Sequence, residues 1–204
     1  VMIIKNTVNY PENGMVLDGQ YGWLAGIYLE KNNIINASVS GIKVQYSNIG
    51  SMYRPVSIRN NMISGGATVS AAYTSTSGTA YTPVKKTIEI FTSPNAIIEN
   101  NSISGSVYIY LATEVIFKNN CVASDSLTSL YVAATPTFTS DYNNLYGKYN
   151  SIIGIIQSQG YPTIDSIRSD LGLEMNSIST EPFFFSSTDL HSYSPYMQLS
   201  LIHI

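Results

Sequence analysis

The chain has 204 residues, 44% of them hydrophobic and only 11% charged, with a net charge of −3, so it is expected to bury a core under a surface of uncharged hydrogen-bonding groups. Lys and Arg are scattered singly apart from Lys85-Lys86, which leaves no basic face for phosphate neutralisation and argues against nucleic acid as a partner. No run approaches the ~18 apolar residues of a membrane span, and the single cysteine, Cys121, has no internal disulfide partner and reads as a small buried hydrophobe.

In chain order, the first segments are MIIKNTV (2–8) and GIYLEKNNIIN (26–36), and 41–65 begins with GIKV and ends with VSIRNNMISG. Residues 87–105 (TIEIFTSPNAIIENNSISG) align without a gap on 106–124 (SVYIYLATEVIFKNNCVAS), and SLYVAATPTFTSDYNNLY (129–146) continues the register. The shared signature is an apolar residue, any residue, an Asn pair, any residue, then Ile or Val. Its second Asn is placed at Asn6, Asn33, Asn61, Asn101, Asn120 and Asn143. Each unit carries three short runs of period-two alternation between turn residues, which is strand chemistry.

In the unit from 106 to 124, Val107, Ile109 and Leu111 are expected to face inward and Tyr108 and Tyr110 outward. A second strand follows at Val115 to Phe117 and a third at Cys121 to Ala123. Three strands per unit make a triangular coil, and no coil buries its apolar face unless its neighbours stack on it about 4.8 Å away. Stacked Asn side chains can then donate to one neighbour and accept from the other, so a structural ladder is expected through Asn33, Asn61, Asn101, Asn120 and Asn143.

Two segments interrupt the pattern. Residues 66–86, rich in Gly, Ser, Thr and Ala, read as an inserted loop before a first-sheet strand. After 147 a capping segment is expected over 148–198. Thr163 serves as N-cap of a short helix there, Ile164, Ile167 and Leu171 form one face, and Gly172 ends it. Residues 199–204 (LSLIHI) resemble the translated end of a sequencing-library adapter and are set aside. The chain opens at Val1 on strand-like residues with no leader, so the natural termini are expected to lie beyond both ends.

These repeats resemble the right-handed parallel β-helix superfamily, the pectate-lyase-like fold, and the closing DYNNLYG and DLGLEMNSISTEPFFFSSTDLH resemble the end of bacterial secreted members. The resemblance implies an all-β, right-handed parallel β-helix solenoid with a short C-terminal helical cap, located outside the cell or on its surface. It also places the Asn ladder between the second and third sheets. It implies no one activity, because the fold hosts lyases, hydrolases, epimerases, adhesins and inert stalks.

The chemistry of the enzymes in that family is not visible. Arg54-Pro55-Val56-Ser57-Ile58-Arg59 has the residue types of the lyase signature Arg-x-Pro-x-x-Arg at the wrong spacing and without an acidic cluster, and no close aspartates mark a hydrolase. No metal-spaced set, Ser-His-Asp constellation or phosphate loop occurs, so neither a metal nor a cofactor is expected, and His191 reads as structural. The outward positions of the first sheet form two columns, Lys43, Glu89, Tyr108 and Tyr131, then Gln45, Phe91 and Tyr110, with Tyr73, Tyr81, Lys85 and Lys86 of the insert nearby.

Lys43, Glu89, Tyr108, Tyr110, Tyr131, Tyr81 and Lys85 are therefore the candidate substrate-binding residues, and a polysaccharide the expected partner. The expected function is a carbohydrate-binding or structural element of a secreted or surface protein. The alternative is a polysaccharide lyase or glycoside hydrolase with catalytic residues partly outside this chain.

Overall fold

The computed structural model describes residues 1–19, 26–46, 55–75, 78–93, 95–125, 128–148 and 152–193. The chain visits three sheets in rotation, one strand in each, and then repeats the circuit. The first circuit holds β1 (Met2–Ile4), β2 (Thr7–Asn9) and β3 (Asn13–Asp18), and the second β4 (Ile27–Glu30), β5 (Asn33–Ala37) and β6 (Ser40–Gln45). The third contains β7 (Val56–Arg59), β8 (Met62–Gly65), β9 (Thr68–Ser75) and the long β10 (Gly78–Phe91). The fourth is β11 (Asn95–Glu99), β12 (Ser102–Ser104) and β13 (Ser106–Tyr110); the fifth is β14 (Glu114–Lys118), β15 (Cys121–Ser124) and β16 (Leu130–Ala133). The sixth has β17 (Thr137–Asp141), β18 (Asn144–Gly147) and β19 (Gly154–Ile156), before β20 (Gln159–Tyr161) and the helix α1 (Ile164–Leu171).

Among the described residues the protein is therefore all-β apart from one short helix. Successive circuits pair in parallel, β1-β4-β7-β11-β14-β17 in the second sheet, β2-β5-β8-β12-β15-β18 in the third, and β3-β6-β10-β13-β16-β19 in the first. The pairing brings like residues into inward columns. Met15, Ile42, Ile88, Val107 and Leu130 form one, and Leu17, Val44, Ile90, Ile109, Val132 and Ile156 the next. Leu29, Ile58, Ile98 and Phe117 line the second sheet, and Ile34, Ile63, Ile103, Val122 and Leu145 the third. All belong to one core cluster, because period-two alternation puts every second side chain on the inner face.

Three expectations are corrected. The segment 66–86, expected as a loop, carries an antiparallel pair: β9 pairs with the first half of β10, from Gly78↔Ser75 to Lys85↔Thr68, and β10 continues into the first sheet. Alternating Val69, Ala71, Tyr73 and Val84 supply an apolar side that composition alone concealed. Leu111 does not face the core. It is exposed with φ 57°, because the strand ends at Tyr110 and Leu111 turns the corner, as Tyr46, Thr92 and Ala134 do in other circuits.

In the cap, Thr163 accepts from the Ser166 N–H and Gly172 closes α1 in the left-handed conformation at φ 65°. Ile164 and Ile167 join the core over the last circuit, whereas Leu171 is exposed, since only the first turns of α1 lie on the sheets. The suspect tail, 199–204, lies outside the described residues.

Candidate functional site

The amide row runs at the corner between the second and third sheets. The Nδ2 of Asn32 donates to Asn61 Oδ1 (3.0 Å), that of Asn61 to Asn101 (3.0 Å), that of Asn101 to Asn120 (3.0 Å) and that of Asn120 to Asn143 (3.3 Å). Each Oδ1 also accepts the backbone N–H of the Asn one circuit earlier. Asn6 donates to Asn32, so the row uses Asn32 where Asn33 was expected, and Asn33 is instead the first residue of β5. The left-handed corner residue precedes the row amide in every circuit. It is Lys5, Lys31, Asn60, Asn100, Asn119 or Tyr142, so the Asn pair 32–33 was a shifted guide, because Lys31 and not Asn32 supplies the turn there.

The row ends on a residue that the sequence reading missed. Glu174 is fully buried and accepts Asn143 Nδ2 (3.0 and 3.2 Å) and the hydroxyls of Ser140 and Ser177. Burial raises its pKa against the pull of those donors. Ser177 Oγ accepts the Asn143 N–H, standing in for the next amide, and Arg168 ties the carbonyls of Glu174 and Ser177 to α1.

On the outer face of the first sheet, the pairing aligns Lys43, Glu89, Tyr108, Tyr131 and Ile155 in one column and Asp18, Gln45, Phe91 and Tyr110 in the next. In the first column Glu89 is buried between two cations, Lys86 Nζ at 2.7 Å and Lys43 Nζ at 3.9 Å, and Lys86 also lies 4.7 Å above the Tyr108 ring. Glu89 does not point freely into solvent, because the chain's own lysines cover it. Tyr108 and Tyr131 stack at 4.5 Å and are half-buried under the hairpin, packed with Val69, Tyr73, Ala71, Val84 and Ile155. Burial, and then the neighbouring Tyr108, pushes the Tyr131 phenol up to about 12, and burial also raises Tyr108.

The hairpin thus occupies the tyrosine column that was expected to meet a ligand. Its Lys85 bonds Asp125 (3.2 Å) and its Tyr81 is exposed at 68%. The second column is not part of the hairpin's apolar cluster. Phe91 and Tyr110 stack at 5.7 Å, Tyr46 meets Phe91 edge-on at 5.5 Å, and all three are half-buried, as Tyr108 and Tyr131 are. Tyr46 is an addition to the predicted set, brought in by the left-handed corner after β6.

Arg59 belongs to the outer face of the second sheet, in the cross-strand row Glu30, Arg59, Glu99, Lys118 and Asp141, whose charges alternate in sign. It bonds Glu99 at 3.2 Å and is a register-setting ion-pair residue; Arg54 lies outside the described residues. His191 bonds Asp189 at 2.5 Å within the closing segment. Cys121 is buried, and burial pushes its thiol up to about 12, so it is held as an inert thiol. Among the described residues no group of three or more His, Cys, Asp or Glu is placed to hold a metal, and no helix is long and apolar enough to cross a membrane.

A cleft of about 280 Å³ lies on the third sheet, between its outer face and the closing segment. The column Ser104, Ala123 and Tyr146 supplies its floor, and Phe183, Phe184 and Tyr193 the opposite wall. Compared with known proteins, the chain matches no family model, no curated protein and no solved structure.

Proposed function

We propose that the three sheets wind as a right-handed parallel β-helix of the pectate-lyase-like kind, and that the outer face of its first sheet binds a polysaccharide without cleaving it. What supports the winding is the strict rotation among three parallel sheets, since parallel crossovers are right-handed in about 98% of cases. The single observation that carries the binding is the row of partly exposed aromatic rings Tyr46, Phe91 and Tyr110, flanked by Gln45 and Asp18 on one side and by Lys43, Glu89 and Lys86 on the other. Such a face is long and shallow, the shape that suits an extended sugar polymer, whose C–H faces pack on rings while hydroxyls meet amide and charged groups.

Binding without cleavage follows from the pairing of charges. Among the described residues of this face, Glu89 is engaged by Lys43 and Lys86 and Asp18 accepts from Gln45, so no two carboxyls stand together as a paired acid and base. A place outside the cell belongs to the same proposal, because that is where such polymers are met. Retention of the purified protein on acidic and neutral polysaccharides tests it, with ultraviolet absorbance followed for unsaturated products. Retention on at least one polymer, weakened severalfold in Phe91→Ala and Tyr110→Ala, is expected. Release of unsaturated sugar that disappears in Lys43→Ala overturns the binding-only reading in favour of a lyase, and no retention on any polymer leaves a structural element.

A further inference from the structure

We infer that the cleft between the third sheet and the closing segment is a second, separate binding site, for one or two rings of a neutral saccharide. It takes its ligand class from the saccharide reading above but shares no residue with the first-sheet row. The floor is hollow because two circuits place small side chains, Ser104 and Ala123, at the positions where the sixth carries Tyr146. The opposite wall is built by a tight reversal of the chain: Phe184 bridges Ser192, the Tyr193 N–H donates to the Phe183 carbonyl, and Ser192 Oγ donates to the Pro182 carbonyl. This reversal is anchored to the third sheet ahead of its first residue, by the Thr180 N–H on Asn144 Oδ1 (2.9 Å), and at its turn, by Ser64 Oγ donating to the Ser187 carbonyl (3.3 Å).

The anchored reversal holds aromatic surface out in water. Tyr193 is 51% and Phe183 42% exposed, their rings are 5.7 Å apart, and Phe183 is kept at φ 48°, in a region that a bulky side chain rarely adopts. Exposed apolar surface and backbone strain are both unfavourable for folding, and they persist where the surrounding bonds over-determine them. The chemistry of the lining selects the ligand. Asp125 and Glu181 stand at the rim with Lys148, and Asp125 is itself neutralised by Lys85, so the charges nearly balance and favour neither an anion nor a cation. Rings with hydroxyl and carboxylate groups around them suit a ligand with C–H faces and many hydroxyls. The volume lies at the low end of the roughly 300–1,000 Å³ typical of small-molecule pockets, which limits the occupant to one or two sugar rings.

The test is saturation-transfer NMR on the full chain with a panel of neutral disaccharides, scored beside polymer retention. At least one disaccharide is expected to bind, with affinity reduced about tenfold or more in Tyr193→Ala and in Tyr146→Ala. Tyr193→Phe, which keeps the ring contact with Phe183, is expected to stay within about threefold. Absence of binding by every disaccharide, or binding that survives both alanine variants, overturns the proposal. The two sites are told apart with Phe91→Ala and Tyr110→Ala: disaccharide binding that persists after polymer retention is lost supports a separate cleft, and disaccharide binding lost together with retention overturns it. Loss of polymer retention by the native chain alone bears on the first-sheet reading and leaves the disaccharide result standing.

Discussion

Asn120 shows what a single residue contributes to this architecture. Its Oδ1 accepts two donors from Asn101, and its Nδ2 donates to Asn143 Oδ1 and to the Ile98 carbonyl (2.9 Å), all within the buried corner. Asn120→Ala strands these partners without water, so a loss of roughly 1–3 kcal/mol is expected. In a chain of this size that is about 2–4 °C of Tm per kcal/mol. The comparison of Asn32→Ala with Asn33→Ala checks the corrected row, since only the first removes a rung, and equal melts for the two would refute it. The row was legible because one amide recurs per circuit. The slip at Asn33 arose because the left-handed residue there is Lys31, and the better guide is the charged residue two positions before each rung from Asn32 to Asn143, at Glu30, Arg59, Glu99, Lys118 and Asp141.

Glu174 carries a pH dependence of definite sign. Its native pKa lies above the ordinary 4.5, so the folded protein binds the proton more tightly than the unfolded chain. The contribution is therefore most favourable below about pH 4.5 and is lost as pH rises through the native value. Asp141 acts oppositely. Burial alone would raise its pKa, but hydrogen bonds from the Asn176 backbone and side chain and from Tyr142 lower it below the ordinary 3.8, so its contribution is lost only at more acid pH. As pH rises above about 4.5 the native Tm should fall with a slope that Glu174→Gln flattens. The same slope in both proteins would remove Glu174 from this role.

At the scale of elements, the hairpin decides what the first sheet presents. Its Tyr73 ring lies against Gly160 so closely that a Cβ there would collide with ring atoms, which ties the hairpin to β20. Gly160→Ala is expected to lift it, and ultraviolet titration reads the result: the tyrosine ionising at about 12 in the native protein should move toward the ordinary 10 as water reaches Tyr131. An unchanged titration would mean that the hairpin is not what buries Tyr131. The 66–86 composition reads as loop because Gly, Ser and Thr dominate it, and its apolar side counts only once Tyr108, Tyr131 and Ile155 offer a surface to cover.

At the scale of the whole molecule, each circuit is supported by the two beside it, so stability is concentrated in the middle of the stack. Ile109 is fully buried between Ile90 and Val132, and Ile109→Ala should cost about 2–5 kcal/mol, measured by denaturant unfolding. A loss well under 1 kcal/mol would mean that the circuits are not tightly stacked there. Native-state hydrogen exchange should find the amides of β13 and β14 among the last to open and those of β1, paired on one side only, among the first.

The sequence by itself determined the strand alternation, the inward columns and the amide chemistry of the corner, because these rest on local periodicity repeated from circuit to circuit. Only the tertiary structure decided which outward residues remain free. The hairpin's seat on Tyr108 and Tyr131, the end of the amide row at Glu174 and the cleft beside Tyr146 all arise where chain far along the sequence folds back on the sheets. The bond from Ser64 to the Ser187 carbonyl spans 123 residues, and no periodicity connects its two ends. Stacking repeats itself and can be read from a pattern; docking happens once, by shape and hydrogen-bond complementarity between surfaces that exist only after the stack has formed.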